Sequence, residues 1–313
     1  MNNLKRCIVD KRSRSQLMRQ GVIVAQAASL LVFCCLHSSS SLALDNDADD
    51  YSAGALPAGT NLALLYYQHV DRNAGYSDGH RVSDGGLESD VGVLRGVRFV
   101  KWGPFIADPQ FLLPFGRLDT SRDLGGLGRA QGLGDLIATA TIWLYNHPET
   151  GYYFGVTPAL YIPIGSYDKN KPLNLGNNRW QYLLQAGYVM PIIPKKVSLE
   201  LVGDVTFFGN NNEYGPLRQT LSQDPLIEMQ AWLSYSVSPT VDLRVGSTFY
   251  SGGTTKVDGL NNNDRQRTVN GKVGFGWAFA PSWQILGIFG KDIDDHNGLK
   301  ETTRLNFRLL KAF

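Results

Sequence analysis

Charged residues in the second half of the sequence recur at alternate positions between apolar neighbours. Acids come first and bases follow: Glu200, Asp204, Glu228, Asp242, Arg244, Lys272, Arg304 and Arg308. Side chains of a β-strand point alternately to its two faces, so these charges would share one face while apolar residues occupy the other. Such a face could line a narrow aqueous pore and orient polar solutes by its field, or it could fill an interior with ion pairs. The sequence leaves both interpretations open.

Catalytic chemistry has little support among the histidines that follow residue 43. His80, His147 and His296 fall in predicted loops or turns, and His69 lies near the end of a predicted strand. No serine has a recognisable motif around it. An esterase embedded in a membrane therefore remains a distant alternative, and the sequence favours a protein that is not an enzyme.

One acidic segment has some of the residues of a calcium-binding loop. Residues 292–298 read D-I-D-D-H-N-G, but Gly298 is one position late for an EF-hand loop and Thr303 replaces the bidentate glutamate. We expect a solvated acidic loop there and no metal site. The glycines at 126–128 do not form a dinucleotide fingerprint, because Gln131 replaces the third glycine. The sequence predicts no cofactor.

The charges must be positioned by strands, and the sequence predicts twelve of them. Their ranges are 61–70, 88–102, 104–118, 135–145, 151–165, 179–190, 196–208, 224–237, 241–250, 268–280, 283–291 and 301–313. Longer loops and tight turns alternate between the strands, with aromatic residues close to the turns. This layout is typical of transmembrane β-barrels. Because hydrocarbon offers no hydrogen-bond partners, the sheet must close on itself, so the first and last strands should pair.

The last predicted strand has apolar residues at alternate positions and ends in Phe313. Only Lys311 interrupts the apolar set near its end. The pattern resembles the C-terminal strand of bacterial outer-membrane barrels. The expected partners are therefore outer-membrane lipid and, through the strand that ends in Phe313, the barrel-assembly machinery.

The N-terminal segment has the three regions of a secretory signal peptide. Six basic residues precede an apolar run at 21–36, and small residues follow up to Ala43. We predict a cleaved signal peptide at 1–43, a periplasmic lead-in at 44–59 and a barrel at 60–313. Residues 1–43 hold all three cysteines, and the remainder carries a net charge of −3. This composition excludes disulfides after residue 43 and gives no support to nucleic-acid binding.

Three motifs resemble those of an outer-membrane protein family labelled as phenol-degradation meta-pathway proteins. They are G-D-L at 134–136 with Trp143, P-I-G-S-Y-D at 163–168 and N-L-G-N-N-R-W at 174–180. The resemblance covers the chain from about residue 134 onward. It implies an outer-membrane barrel and a transporter associated with the breakdown of aromatic compounds.

The sequence thus predicts an all-β protein, an antiparallel up-and-down transmembrane β-barrel of about twelve strands in the Gram-negative outer membrane. We expect a porin-like channel for passive uptake of small molecules, including aromatic or apolar compounds. The external mouth is predicted at Asn174, Asn178 and Trp180. The alternative is a structural barrel without conductance whose loops bind a ligand or partner.

Overall fold

The computed structural model describes residues 48–313, which form a closed antiparallel barrel of twelve strands. The strands are β1 Asn61–Ser77, β2 Gly85–Arg98, β3 Phe105–Arg122, β4 Leu136–His147, β5 Tyr152–Ile162, β6 Gln181–Ile193, β7 Val197–Phe208, β8 Leu226–Ser238, β9 Val241–Gly252, β10 Gln266–Ala280, β11 Trp283–Asp295 and β12 Gly298–Ala312. Each strand pairs with its neighbours in sequence. The predicted fold class is confirmed.

The ring closes between β1 and β12. Their ladder begins at Leu62 opposite Ala312 and continues along both strands. Just outside it, the Asn61 N–H donates to the Phe313 carbonyl at 2.9 Å, and the Phe313 N–H donates back to Asn61 at 3.0 Å. The predicted pairing of the first and last strands is therefore confirmed, and no edge of the ring is left unpaired.

An apolar belt runs around the outward face of the ring. Every strand exposes at least one large apolar or aromatic residue: Leu65, Leu94, Phe111, Leu144, Tyr152, Leu184, Leu201, Met229, Val245, Val273, Phe289 and Phe307. On β8, for example, Met229 is 57% exposed whereas Trp232 on the inward face is 1% exposed. An apolar belt of this kind is the membrane-facing surface of a transmembrane barrel.

Lys311, which interrupts the apolar set of the last strand, lies near the end of β12 beside Trp283. Its Nζ is 4.4 Å from the centre of the Trp283 ring. A cation over an indole face close to the end of a strand is stabilised by the ring and still reaches the polar interface. The interruption is therefore compatible with a membrane-facing strand.

The strands extend further into the loops than the sequence indicated. β1 continues to Ser77 and β2 begins at Gly85, although 71–86 was expected to be a loop. The solvated acidic loop predicted at 292–298 is wrong, because β11 runs to Asp295 and buries that residue. The last connection is consequently a two-residue turn, and the alternation of long loops and tight turns is broken there.

The loops themselves contain short strands. Residues His80–Ser83 pair with β1, whereas Val100–Trp102 and Arg129–Leu133 pair with β3. The connections after β7 and β9 together form a separate four-stranded sheet: Asn211–Tyr214, Gln219–Gln223, Thr255–Val257 and Leu260–Asn261. This ordered sheet was not predicted. No helix in residues 48–313 is long and apolar enough to cross a membrane.

The lumen has two unlike walls. The inward face of β1–β6 supplies one buried apolar cluster: Leu64, Tyr66, Val91, Val93, Val97, Leu112, Ile137, Ala159, Tyr161 and Leu183. We call this the apolar wall. The inward face of β7–β12 carries the charged residues singled out in the sequence, and we call it the charged wall.

The predicted signal peptide, 1–43, and the first four residues of the predicted lead-in lie outside the described residues. The described part of the lead-in does not stay outside the barrel. Ala48 and Tyr51 are buried among inward-facing side chains of the strands. We call residues 48–56 the lumen segment.

Candidate functional site

The structure places all eight residues that were predicted to line a pore on the charged wall. Seven of them are buried, and the side chain of Asp242 is 22% exposed. They contact one another or other polar groups. Arg244 contacts Asp242, Glu228 accepts from Gln230 Nε2 at 2.6 Å, and Lys272 Nζ lies 5.8 Å from the centre of the Trp232 ring. Ion pairs and hydrogen bonds therefore hold these charges on the inward face.

The lumen segment is tied to the charged wall through Asp49. Arg308 donates to both carboxylate oxygens of Asp49, at 2.6 and 2.9 Å, and Arg244 Nη1 lies 3.5 Å from Asp49 Oδ2. Burial opposes ionisation of this carboxyl, but the two guanidinium groups outweigh it and hold the pKa of Asp49 well below its usual range. Asp49 is therefore a permanent anion in the lumen at neutral pH.

On the opposite side, the lumen segment contacts the inward faces of β4–β6 through Tyr51. The Tyr51 hydroxyl donates to Gln185 Oε1 at 3.0 Å and lies 2.6 Å from Thr157 Oγ1. Its ring packs edge-on against Trp143 with 5.7 Å between ring centres. Gly187 provides the space for the ring, because a Cβ there would overlap it.

Together these contacts hold the segment across the barrel. The Tyr51 N–H also donates to Glu200 Oε1 on β7 at 3.1 Å, and Arg95 on β2 contacts Asp50 at 3.2 Å. Because the segment reaches both walls, it occupies the middle of the lumen in the half nearer the tight turns. Sequence reasoning missed this, since the acids around position 49 indicated a solvated lead-in.

A second ionic group joins β12 to β1 inside the barrel. Glu301 accepts from Arg72 at 2.6 Å and from Arg304 at 2.7 and 2.8 Å. Asp292 on β11 accepts the Glu301 N–H at 2.6 Å. Arg72 lies on β1, whereas Glu301 and Arg304 lie on β12. The group therefore stabilises the inner face of the closing pair of strands.

Near the loop end, the three family-like motifs meet at Asp135. One carboxylate oxygen of Asp135 accepts the Gly165 N–H at 3.0 Å, and the other accepts the Asn177 N–H at 2.9 Å. Burial raises the pKa of this carboxyl. A Cβ at Gly165 would lie 2.7 Å from the Gly176 Cα, so glycine is required for the loop strands to approach. These contacts fix the loop 163–180 against the start of β4.

The fixed loop encloses a cavity of about 150 Å³ above the apolar wall. We call it the loop-side cavity. Val91, Val93, Ile137 and Tyr161 of the apolar wall line it, and the loop contributes residues 171–177 and Arg179. The lining is mostly apolar, with a few charged and amide groups among it.

The residues predicted to form the mouth have different positions. Asn174 lines the cavity, and its side chain bonds to backbone groups of Asp168. Asn178 donates to Asn211 of the external sheet at 3.0 Å. Trp180 is 45% exposed on the outward face, so its assignment to the mouth is corrected. Its neighbour Arg179, not singled out from the sequence, takes the inward position.

On the outer face, His69, Glu88 and Asp90 are close enough to share a metal ion. However, Asp90 already accepts from Tyr67 at 2.6 Å and from Arg117 at 2.9 Å, and His69 Nδ1 lies 2.9 Å from it. A cation would compete with the Arg117 guanidinium. We assign neither a metal nor a catalytic role to this group.

Comparisons with known proteins agree with this architecture. Residues 71–309 match a family model described as "Putative MetA-pathway of phenol degradation". The crystal structure of an outer membrane channel from Pseudomonas putida F1 is 37% identical, with a TM-score of 0.82 over 85% of this chain and 99% of that one. The β domain of the Bordetella autotransporter BrkA has 11% identity and a TM-score of 0.53 over 82% of this chain and 100% of that one, which shows the fold alone. No curated protein matches. By its extent and its agreement with the barrel, the family match shows that this chain belongs to the family described as "Putative MetA-pathway of phenol degradation".

Proposed function

We propose that the protein is an outer-membrane channel for passive uptake of small apolar molecules, aromatic compounds among them. The observation that carries the proposal is the loop-side cavity, whose apolar lining is part of the apolar wall. An apolar molecule that entered at the loops would find a continuous surface into the lumen. The 37% identical outer membrane channel supports the membrane and the transport role.

In this proposal the charged wall does not conduct large polar solutes. The lumen segment lies across the middle of the barrel, and its Asp49 forms ion pairs with Arg308 and Arg244. Planar-bilayer recording of the full chain should therefore show small conductance steps or none. Large, frequent steps would mean a wide aqueous path and would contradict a preference for apolar solutes.

Uptake in cells tests the cavity directly. Val93 is 1% exposed at the cavity wall, and Val82 is 52% exposed in the first loop. A strain without the protein should take up a limiting labelled aromatic compound slowly, and the wild-type gene should restore the rate. Val93→Phe fills the cavity and should not restore it, whereas Val82→Phe should. Equal rescue by both variants would contradict the proposal, provided both barrels are folded and present in equal amounts.

The second candidate function is a barrel whose external loops bind a ligand or partner without conductance. The ordered four-stranded sheet of the loops and the occluded lumen favour it. Normal uptake in the deletion strain, together with an absence of conductance steps, would select this alternative.

We also propose that the chain is secreted by a cleaved signal peptide and inserted by the barrel-assembly machinery through β12. The alternating apolar face of β12 and its pairing with β1 support insertion by this route. N-terminal sequencing of the outer-membrane protein would test the cleavage site. A protein that retains Met1 would contradict it.

A further inference from the structure

The loop-side cavity contains a charge without a counter-ion. Arg179 is 3% exposed and lines the cavity together with apolar side chains. Its Nη2 donates to Gln223, and its guanidinium lies over the Phe208 ring, 4.7 Å from the centre. Its Nε and Nη1 have no hydrogen-bond partner within residues 48–313. A buried cation normally has both a partner charge and hydrogen bonds, because burial removes its hydration.

Asp135, the carboxylate that acts electrostatically on Arg179, does not supply that partner. The negative charge of Asp135 stabilises the Arg179 cation without contacting it, because both carboxylate oxygens of Asp135 accept backbone N–H groups of the loop. No carboxylate of the described chain forms an ion pair with Arg179. Burial lowers the pKa of Arg179 to about 10, so the side chain remains a cation at neutral pH.

The surroundings extend this unsatisfied polar region. Gln181 follows Arg179 on the same inward face, is 0% exposed and leaves both its amide atoms without a partner. Two further cations line the cavity. Arg72 is ion-paired with Glu301, and the Lys171 side chain is 64% exposed, so its charge is screened by solvent. The cavity therefore combines polar groups with side chains of the apolar wall.

We propose that the loop-side cavity binds a monocyclic aromatic carboxylate, with Arg179 as the group that holds the carboxylate. A cavity of about 150 Å³ accommodates one benzene-sized ring. The apolar wall would take the ring, while the guanidinium of Arg179 would donate to the carboxylate oxygens, for which its planar group of donors is well suited. This inference rests on the proposed function and specifies the chemical class of its substrate.

Calorimetric titration of the full chain in lipid nanodiscs tests the inference with three ligands. Benzoate has the ring and the charge, benzamide has the ring without the charge, and acetate has the charge without the ring. Wild type should bind benzoate at least about tenfold more tightly than benzamide, the factor expected of a buried charged hydrogen bond. It should bind acetate more weakly than benzoate.

Arg179→Met should bind benzoate and benzamide equally and should keep the wild-type affinity for benzamide. Arg179→Lys keeps the charge without the planar fork and should restore part of the preference. Lys169→Met is the matched control, since it removes a cation of the same loop that does not line the cavity, and it should behave as wild type.

The outcomes separate the inference from the proposed function. Equal wild-type affinities for benzoate and benzamide would overturn the inference and leave apolar uptake intact. A folded Arg179→Met variant that keeps the preference for benzoate would also overturn the inference and leave apolar uptake intact. Acetate affinity equal to that of benzoate would reduce the site to a simple anion site and also overturn it. If wild type binds neither ring compound, the proposed function fails as well.

Discussion

Release of the lumen segment from the charged wall can be predicted quantitatively. Asp49→Asn keeps the shape of the side chain but removes the charge that Arg308 and Arg244 share. Breaking a buried ion pair by removing one partner costs about 3–5 kcal/mol. We expect about 3 kcal/mol, the lower end, because Arg308 retains Gln284 and Arg244 retains Asp242. That amount raises the undocked population of the segment about a hundredfold.

A buried thiol can report that population. Ala48 is 0% exposed when the segment is docked, so Ala48→Cys should react with a thiol reagent only after undocking. When docking is fast relative to labelling, the labelling rate follows the undocked population. The rate should therefore rise about a hundredfold in the Asp49→Asn background. The parent chain has cysteines only at positions 7, 34 and 35, and its labelling gives the background.

The matched control is Glu149→Gln, which removes one negative charge at the tight-turn end, where the side chain is 64% exposed. It should leave the labelling rate of Ala48→Cys unchanged. Equal labelling rates for Ala48→Cys alone and for Ala48→Cys with Asp49→Asn would refute the reasoning, because the ion pair would then not hold the segment. Fast labelling of Ala48→Cys without any second substitution would show that the segment is not docked.

Three further predictions concern the lumen segment and the loop that Asp135 holds. Gly187→Ala places a Cβ in the space of the Tyr51 ring and should undock the segment, seen as larger conductance steps. A Cβ at Gly203 meets only the Glu228 carbonyl oxygen, at an ordinary contact distance of 3.9 Å, so Gly203→Ala should not change the conductance. Asp135→Ala leaves two partly buried N–H groups without their acceptor and should lower the unfolding free energy by about 2 kcal/mol, measured as a lower midpoint of heat modification on gels. The folded pKa of Asp49 is lowered, so its contribution is present above its usual value of 3.8 and lost as pH falls further. The stabilisation that Asp49 gives to docking should therefore decline below about pH 4, and conductance should rise there.

The membrane-spanning part of each strand could be predicted because lipid imposes a strict pattern on it. The apolar face of β8, for example, follows directly from residues such as Met229 and Tyr235 at alternate positions. Beyond the membrane both faces of a strand meet polar surroundings, so alternation disappears while the hydrogen-bonded ladder continues. For this reason the sequence predicts that β1 ends at Val70, whereas in the structure its pairing with β12 continues to Tyr76.

The apolar wall also explains why the first half of the sequence is harder to interpret. Its strands carry apolar residues on both faces, so the pattern does not reveal which face is inward. On β6, Tyr182, Leu183 and Leu184 follow one another, and only the structure shows that Leu183 is buried. The same ambiguity applies to Arg179 and Trp180. The sequence predicts Trp180 at the mouth, whereas in the structure Arg179 points inward and Trp180 points outward.

Position 49 was misassigned for a different reason. A run of acids near an N-terminus usually indicates a solvated segment, and the contacts that override this are made with residues about 200 to 260 positions away. The predicted charges did contain a signal: Arg244 and Arg308 face a low-dielectric interior, where each needs an anion at contact distance. Asp49 meets that need and Tyr51 contacts β4–β6, so two residues of one short segment connect the two walls across the lumen. A solute that weakens either contact would open the lumen, whereas a solute that binds only in the loop-side cavity would leave it closed. Apolar binding and ion conductance should therefore respond independently to Arg179→Met and Asp49→Asn.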